Sequence, residues 1–152
     1  MVRNPFSLIL LSSDEPKAEE ECEKAIAQAL KIDEYNMDAL QILANLRVNR
    51  ARDQEATLAL KRCVKVMLKD QESLQNLPTI EFRMVTIRLL VELLQFKDAI
   101  KVLDTVVSEN DEIPEAWYLL AFSYFNLKKY QNAHECCKNV KTMMIKLKIT
   151  AD

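Results

Sequence analysis

The sequence predicts an all-α fold, a right-handed stack of about four antiparallel helix pairs, and three observations carry that expectation. Small and apolar residues recur with a 34-residue period, the length of one helix–turn–helix unit. Within each half-period, apolar residues fall three and four apart, as in Leu40, Leu43 and Ala44 or Leu120, Ala121 and Tyr124. That is the spacing of one helix face. Glycine is absent from all 152 residues, which excludes glycine-rich phosphate loops, dinucleotide fingerprints and nucleophile elbows.

The units follow in order. Residues 3–36 place Phe6, Ile9 and Leu10 ahead of Cys22, Ile26 and Ala29; alternatively, Asp14-Glu15-Pro16 starts a helix after a short irregular segment. Residues 37–79 place Leu40, Leu43 and Ala44 ahead of Ala56, Leu60 and Cys63. From Ala56 the next small residue at this position is Ala99, 43 residues on. The surplus falls near residues 66–77, expected to be a lengthened second helix plus a loop closed by Pro78. Residues 80–113 place Arg83, Thr86, Ile87 and Leu90 ahead of Ala99, Leu103 and Val106. Residues 114–149 run Trp117, Leu120, Ala121 and Tyr124, then Ala133, Cys137 and Val140.

Large apolar, small, aromatic, then alanine is the tetratricopeptide signature, so the chain resembles that repeat family throughout, as a single domain over residues 1–152. One helix pair this short cannot bury its apolar face alone, so neighbours must stack on it. That family usually has glycine where Ala44 and Ala121 stand. Ile87 and Leu10 occupy the position in the other two units, so their helices are expected to sit further apart. The last helix is expected to be long, exposed, and to end on a basic and apolar face.

Charge and composition set limits. The formal net charge is −2, with 49% apolar and 29% charged residues, an ordinary balance for a soluble domain and no electrostatic match for nucleic acid. No apolar run reaches the roughly 18 residues of a membrane span, and the start lacks a signal peptide. Cys22, Cys63, Cys136 and Cys137 form no CxxC pair and read as free thiols of a reducing compartment. His134 lies three residues before Cys137, but Cys137 holds a repeat-core position and is expected to be buried and inert. The run Glu19-Glu20-Glu21-Cys22-Glu23 lacks a complete ligand set and reads as a solvated helix start. Lys61, Arg62, Lys65 and Lys69 read as a solvated outer face. No enzyme, metal or cofactor is expected.

A binding surface is expected where the first helix of each pair turns its outward residues to one concave wall. These are Asp38, Gln41, Asn45 and Asn49 in the second unit, Glu81, Met84, Arg88 and Glu92 in the third, and Glu115, Tyr118, Phe122, Phe125 and Asn126 in the fourth. Tyr118, Phe122 and Phe125 make a second aromatic stripe beside the expected Trp117–Tyr124 core face. Such a stripe either packs on a neighbouring repeat or capping segment, or binds something. Asp38, Glu81, Glu92 and Glu115 stand against Arg88 alone, which suits an extended basic protein segment. Asn45 matches one position of the co-chaperones that clamp the C-terminal carboxylate of heat-shock chaperones. Gln41, Glu81 and Glu115 supply no cations for that clamp, which argues against it.

Further stretches carry a narrower resemblance: Asp14-Glu15-Pro16 through Glu23, Ala29-Leu30-Lys31-Ile32-Asp33, and Asn36 through Arg47. Leu77-Pro78 through Arg83, Leu89 through Leu93, and Glu109 through Leu120 continue it. They resemble the tetratricopeptide chaperones dedicated to the fourth large-subunit ribosomal protein, matching that family's C-terminal repeats. The resemblance implies a helical solenoid that captures a newly made, highly basic ribosomal protein, shields its RNA-binding extension and accompanies it from cytoplasm to nucleus. Against the family, the chain is expected to lack the N-terminal repeats, has no glycine, and ends on a basic rather than an acidic tail. Two other readings stand beside it: a scaffold for an amphipathic peptide in a larger complex, and an enzyme-associated module.

Overall fold

The computed structural model describes residues 15–69 and 74–151, and the described residues hold seven α-helices and no strand. The helices are α1 Glu15–Ile32, α2 Met37–Asn49, α3 Asp53–Met67, α4 Ile80–Glu92, α5 Phe96–Glu109, α6 Pro114–Asn126 and α7 Tyr130–Ala151, with a 3₁₀ turn at Leu74–Asn76. They divide into two compact units, Met1–Lys69 and Asp70–Asp152. None is long and apolar enough to cross a membrane. The first-unit anchors Phe6, Ile9 and Leu10 lie outside the described residues.

In the first unit α2 packs between α1 and α3. The side chain of Asn36 caps α2, accepting the Ala39 N–H at 3.0 Å. Ile26, Ala39 and Leu46 form a core flanked by Cys22, Ala29, Leu30, Ile42 and Leu43. Leu40, Ala44, Ala56, Leu60 and Cys63 are buried behind it, each fully buried leucine contributing about 2 kcal/mol. Arginines in and just after α2 fasten the neighbouring helices. Arg50 binds both carboxylate oxygens of Glu19, and Arg47 reaches Glu23 on α1 and, at 2.8 Å, Glu55 on α3. The acidic helix start is therefore not simply solvated, because two of its carboxylates tie α1 to α2. The Arg50 guanidinium holds the Glu19 carboxyl below the usual carboxylate range, against a smaller opposing effect of burial.

The surplus near residues 66–77 does not lengthen the second helix. Helix α3 stops at Met67 and the 3₁₀ turn follows, with Pro78 and the Thr79 cap starting α4. A proline next to a capping threonine favours a fresh start over continuation.

In the second unit α5 packs against both α4 and α6, and α7 against α6. Ile87, Leu90, Ala99, Val102, Leu103, Val106, Ala116 and Leu120 form its core. Ile87 stands in the α4–α5 pair where α2 and α6 have Ala44 and Ala121, and it is fully buried. Arg83 is also inserted there, 1% exposed. Its guanidinium donates to the Pro78 carbonyl at 3.0 Å, to Thr105 Oγ1 at 3.1 Å and to the Glu109 carboxylate.

Two core expectations need correction. Cys137 is exposed, and the buried thiol is Cys136, at 6%. Their counterparts Val102 and Leu103 are both fully buried, and α5 packs extensively on both α4 and α6 where α7 packs mainly on α6. Trp117 and Tyr124 are half-buried rather than central; the Trp117 indole N–H donates to the Asp111 carbonyl at 2.8 Å. The fully buried face of α6 is Ala116, Leu120 and Ser123.

Candidate functional site

Helices α4 and α6, the first helices of consecutive pairs, carry the site of the second unit. Helical spacing sets Glu81, Arg88 and Glu92 on one face of α4, and Glu115, Tyr118, Phe122 and Phe125 in one line along α6. Arg88 joins the two lines. Its Nε donates to Glu115 Oε1 at 2.7 Å and its second nitrogen to Oε2 at 2.8 Å. This fork-to-carboxylate geometry is the stronger form of ion pair. The Arg88 hydrogen bonds hold the Glu115 carboxyl below the usual carboxylate range, outweighing burial, and the same bonds push Arg88 upward.

Beyond the pair, α6 turns aromatic. Tyr118 is 59%, Phe122 41% and Phe125 60% exposed. The Phe122 ring stands edge-on to Phe96, the first residue of α5, with centroids 5.9 Å apart, and Phe125 stands edge-on to Tyr130 of α7 at 5.5 Å. Each edge contact adds about 1 kcal/mol and fixes ring orientation. The result is a row of four exposed rings, from Tyr118 to Tyr130, with an ion pair at one end.

Several expected wall residues lie elsewhere. Met84, between Glu81 and Arg88 on the same face, is 4% exposed; an apolar thioether there is core. Asn45 in the first unit is likewise buried, at 5%, while Gln41 is half-buried and Asp38 and Asn49 are exposed. Asn126 folds back to donate to the Phe122 carbonyl of its own helix at 2.8 Å. Arg88 is not a lone cation among free carboxylates but the bound partner of Glu115. Tyr130 lies outside the expected wall, and Arg83, expected among the anchors of its helix, is buried there with polar partners that the sequence does not indicate. Tyr130 stands at a helix start outside the helical stripe, and Arg83 takes its role from partners 22 and 26 residues away, a distance no local spacing encodes.

Among the described residues no group of three or more His, Cys, Asp or Glu side chains is arranged to hold a metal ion. His134 and Cys137 are exposed on α7. Burial pushes the Cys136 thiol up, and burial followed by Glu23 and Glu19 pushes Cys22 up.

Comparison with known proteins places these features in a family. The tetratricopeptide repeat matches residues 114–141, which span α6 and the start of α7. A Schizosaccharomyces pombe protein described as "Probable assembly chaperone of rpl4" is 33% identical over 139 residues, covering 88% of this chain and 41% of its own. An Emericella nidulans protein of the same description is 32% identical over 105 residues, 69% of this chain and 27% of its own. The chain thus spans less than half the length of either relative. The solved structure of "Assembly Chaperone of RpL4 (Acl4)" aligns with a TM-score of 0.67 at 26% identity, over 81% of this chain and 44% of that one. The crystal structure of MamA aligns at 0.56 and 19% identity, over 86% of this chain and 72% of that one, and speaks to the fold alone. The chain is a tetratricopeptide-repeat protein that resembles, over most of its own length, the assembly chaperones of rpl4.

Proposed function

We propose that the chain is the part of a ribosome-assembly chaperone that holds a basic large-subunit ribosomal protein, rpl4 by analogy with its relatives' names, in the cytoplasm and on the way to the nucleus. The observation that carries this reading is the exposed row Tyr118, Phe122, Phe125 and Tyr130 beside the carboxylates of Glu81 and Glu115. Large rings left in water together mark a binding surface. Aromatic faces and carboxylates together suit lysine- and arginine-rich chain, through cation–π contact and charge complementarity. A ribosomal protein uses those cations to bind rRNA phosphate, and off the ribosome they attract RNA without specificity. Masking them requires no catalytic step.

The test is binding of purified rpl4 across ionic strength. The reading predicts affinity that falls steeply with salt, and loss on combining Glu81→Lys, Glu92→Lys and Glu115→Lys. Affinity indifferent to salt would sink its electrostatic part. One observation favours a second reading, a scaffold for an aromatic-anchored amphipathic peptide: Arg88 already neutralises Glu115, leaving the rings as the more prominent feature. In that case Phe122→Ala with Phe125→Ala abolishes binding while the charge reversals leave it intact.

A further inference from the structure

The rings of α6 and the carboxylates beside them act on a cation in different ways. Glu115, at the head of the row, already holds the Arg88 fork on both oxygens. Past it the sequence is free of carboxylates. Ala116 through His134 covers the rest of α6, the turn and the start of α7, and contains no aspartate or glutamate. Asp98, in the first turn of α5 with Phe96, pairs with Lys101 at 3.9 Å. A side chain lying over Phe122 or Phe125 therefore meets ring surface rather than a carboxylate of α6.

The rings keep open faces. Tyr118, Phe122, Phe125 and Tyr130 are all exposed, and both ring contacts are edge-on, at interplanar angles of 68° and 66°. Such a contact uses the rim of one ring and one face of the other, so π-surface remains in each pair. A guanidinium is flat and weakly hydrated and stacks on such surface. An ammonium is a compact, strongly hydrated charge that gives up its water less readily. Exposed Lys128 and Lys129 in the connecting turn oppose a cation at the Phe125–Tyr130 end by charge, which leaves stacking to hold it there.

We propose that the Tyr118–Tyr130 row makes the surface selective for arginine over lysine in the chain it binds. The proposal rests on the client reading: the carboxylates attract any basic chain, and the rings decide which cations stay.

The probes are two labelled peptides of about 12 residues, longer than the row when extended. One alternates arginine with serine and the other lysine with serine, so their charges are equal. Each is titrated with the full chain by fluorescence anisotropy at one ionic strength, with purified rpl4 titrated beside them. The arginine peptide should bind about fivefold tighter or more. Phe122→Leu/Phe125→Leu keeps apolar bulk and removes the π-faces, and should bring the ratio to about one by weakening the arginine peptide. Tyr118→Leu, at a ring in neither edge contact, should lower the ratio by itself; circular dichroism checks that both variants keep their helix. Equal affinity for the two peptides in the wild-type chain overturns the proposal, while rpl4 binding that falls with salt keeps the client reading. A ratio unchanged in both variants overturns it too, because the selectivity then lies elsewhere. Neither peptide bound while rpl4 binds overturns the proposal alone, and no binding of rpl4 either sinks the client reading with it.

Discussion

Arg88 on α4 grips both carboxylate oxygens of Glu115 on α6, at 2.7 and 2.8 Å, with each side chain about half exposed. The bond supplies inside the protein what a basic client has to offer from outside, an arginine fork on a carboxylate beside an aromatic ring. Arg88→Met therefore releases Glu115 for a client cation. If Glu115 belongs to the client surface, the substitution tightens rpl4 binding about two- to fivefold at low salt and steepens its salt dependence. Calorimetric titration of wild type and variant at two ionic strengths measures both. Weaker binding in Arg88→Met marks Arg88 itself as the contact.

The same pair, with Glu19–Arg50 in the first unit, makes stability depend on acid. Both carboxyls sit below their ordinary range in the folded chain because an arginine hydrogen-bonds the charged form. The unfolded chain takes up protons first as pH falls, so this contribution is full at neutral pH, above the ordinary carboxylate value, and is lost as pH drops through the folded values. Urea titrations between pH 7 and pH 3 should show stability falling on the acid side. Arg50→Met/Arg88→Met should flatten that fall while changing neutral-pH stability modestly, since exposed pairs are worth about 1 kcal/mol or less each.

Sequence periodicity makes the helix pairs legible, because the packing that buries Ala44, Ala56, Ala99 and Ala133 depends on residues three and four apart. It also places Glu115, Tyr118, Phe122 and Phe125 on one line of α6, which helical spacing alone determines. What depends on neighbours is less legible. Met84 and Asn45 share a helical phase with exposed residues but are covered. Cys137 repeats Leu103 in sequence and not in burial, because burial there is decided by whether another helix lies alongside. Arg83 and Arg88 both precede a carboxylate by 26 or 27 residues, yet one is buried and the other is half exposed.

Arg83 is the more consequential of the two for folding. Its fully buried guanidinium bridges the Pro78 carbonyl before α4 to Thr105 and Glu109 on α5. Arg83→Ala leaves a cavity and strips the Pro78 carbonyl of its guanidinium donor, while the Thr105 hydroxyl keeps its bond to the Val102 carbonyl; it should cost about 3 kcal/mol in urea unfolding. Arg83→Lys keeps the charge and loses the planar fork, and should still cost about 2 kcal/mol. A cost below about 0.5 kcal/mol for both shows that the bridge does not hold the pair together.

Ser123 poses the opposite case. Among the described residues its fully buried hydroxyl has no hydrogen-bond partner, in a helix face otherwise lined by Ala116 and Leu120. Burying a hydroxyl unpaired is unfavourable, so Ser123→Ala should leave stability unchanged or raise it by up to about 1 kcal/mol. A drop of more than about 1 kcal/mol in thermal or urea unfolding shows that the hydroxyl is satisfied in solution.

Three helix ends share one strained device. Ala51, Leu94 and Lys128 follow α2, α4 and α6 at equivalent positions, and each has a positive φ, 57°, 60° and 61°. After each, a backbone N–H reaches back to close the helix: Arg52 to the Arg47 carbonyl at 2.8 Å, Gln95 to Leu90 at 2.8 Å, Lys129 to Tyr124 at 2.9 Å. This 6→1 closure ordinarily uses glycine in the left-handed position. Here residues with a Cβ adopt it, at roughly 1 kcal/mol each. The Leu94 side chain is 70% exposed, so removing it gives up little packing. Leu94→Gly should raise stability by about 0.5–1 kcal/mol, and the melting temperature by about 2 °C, even after the added freedom of glycine in the unfolded chain. Leu94→Val, β-branched in the same conformation, should lower it. A Leu94→Gly variant less stable than wild type shows that the turn draws its energy from the leucine side chain rather than losing it to the backbone.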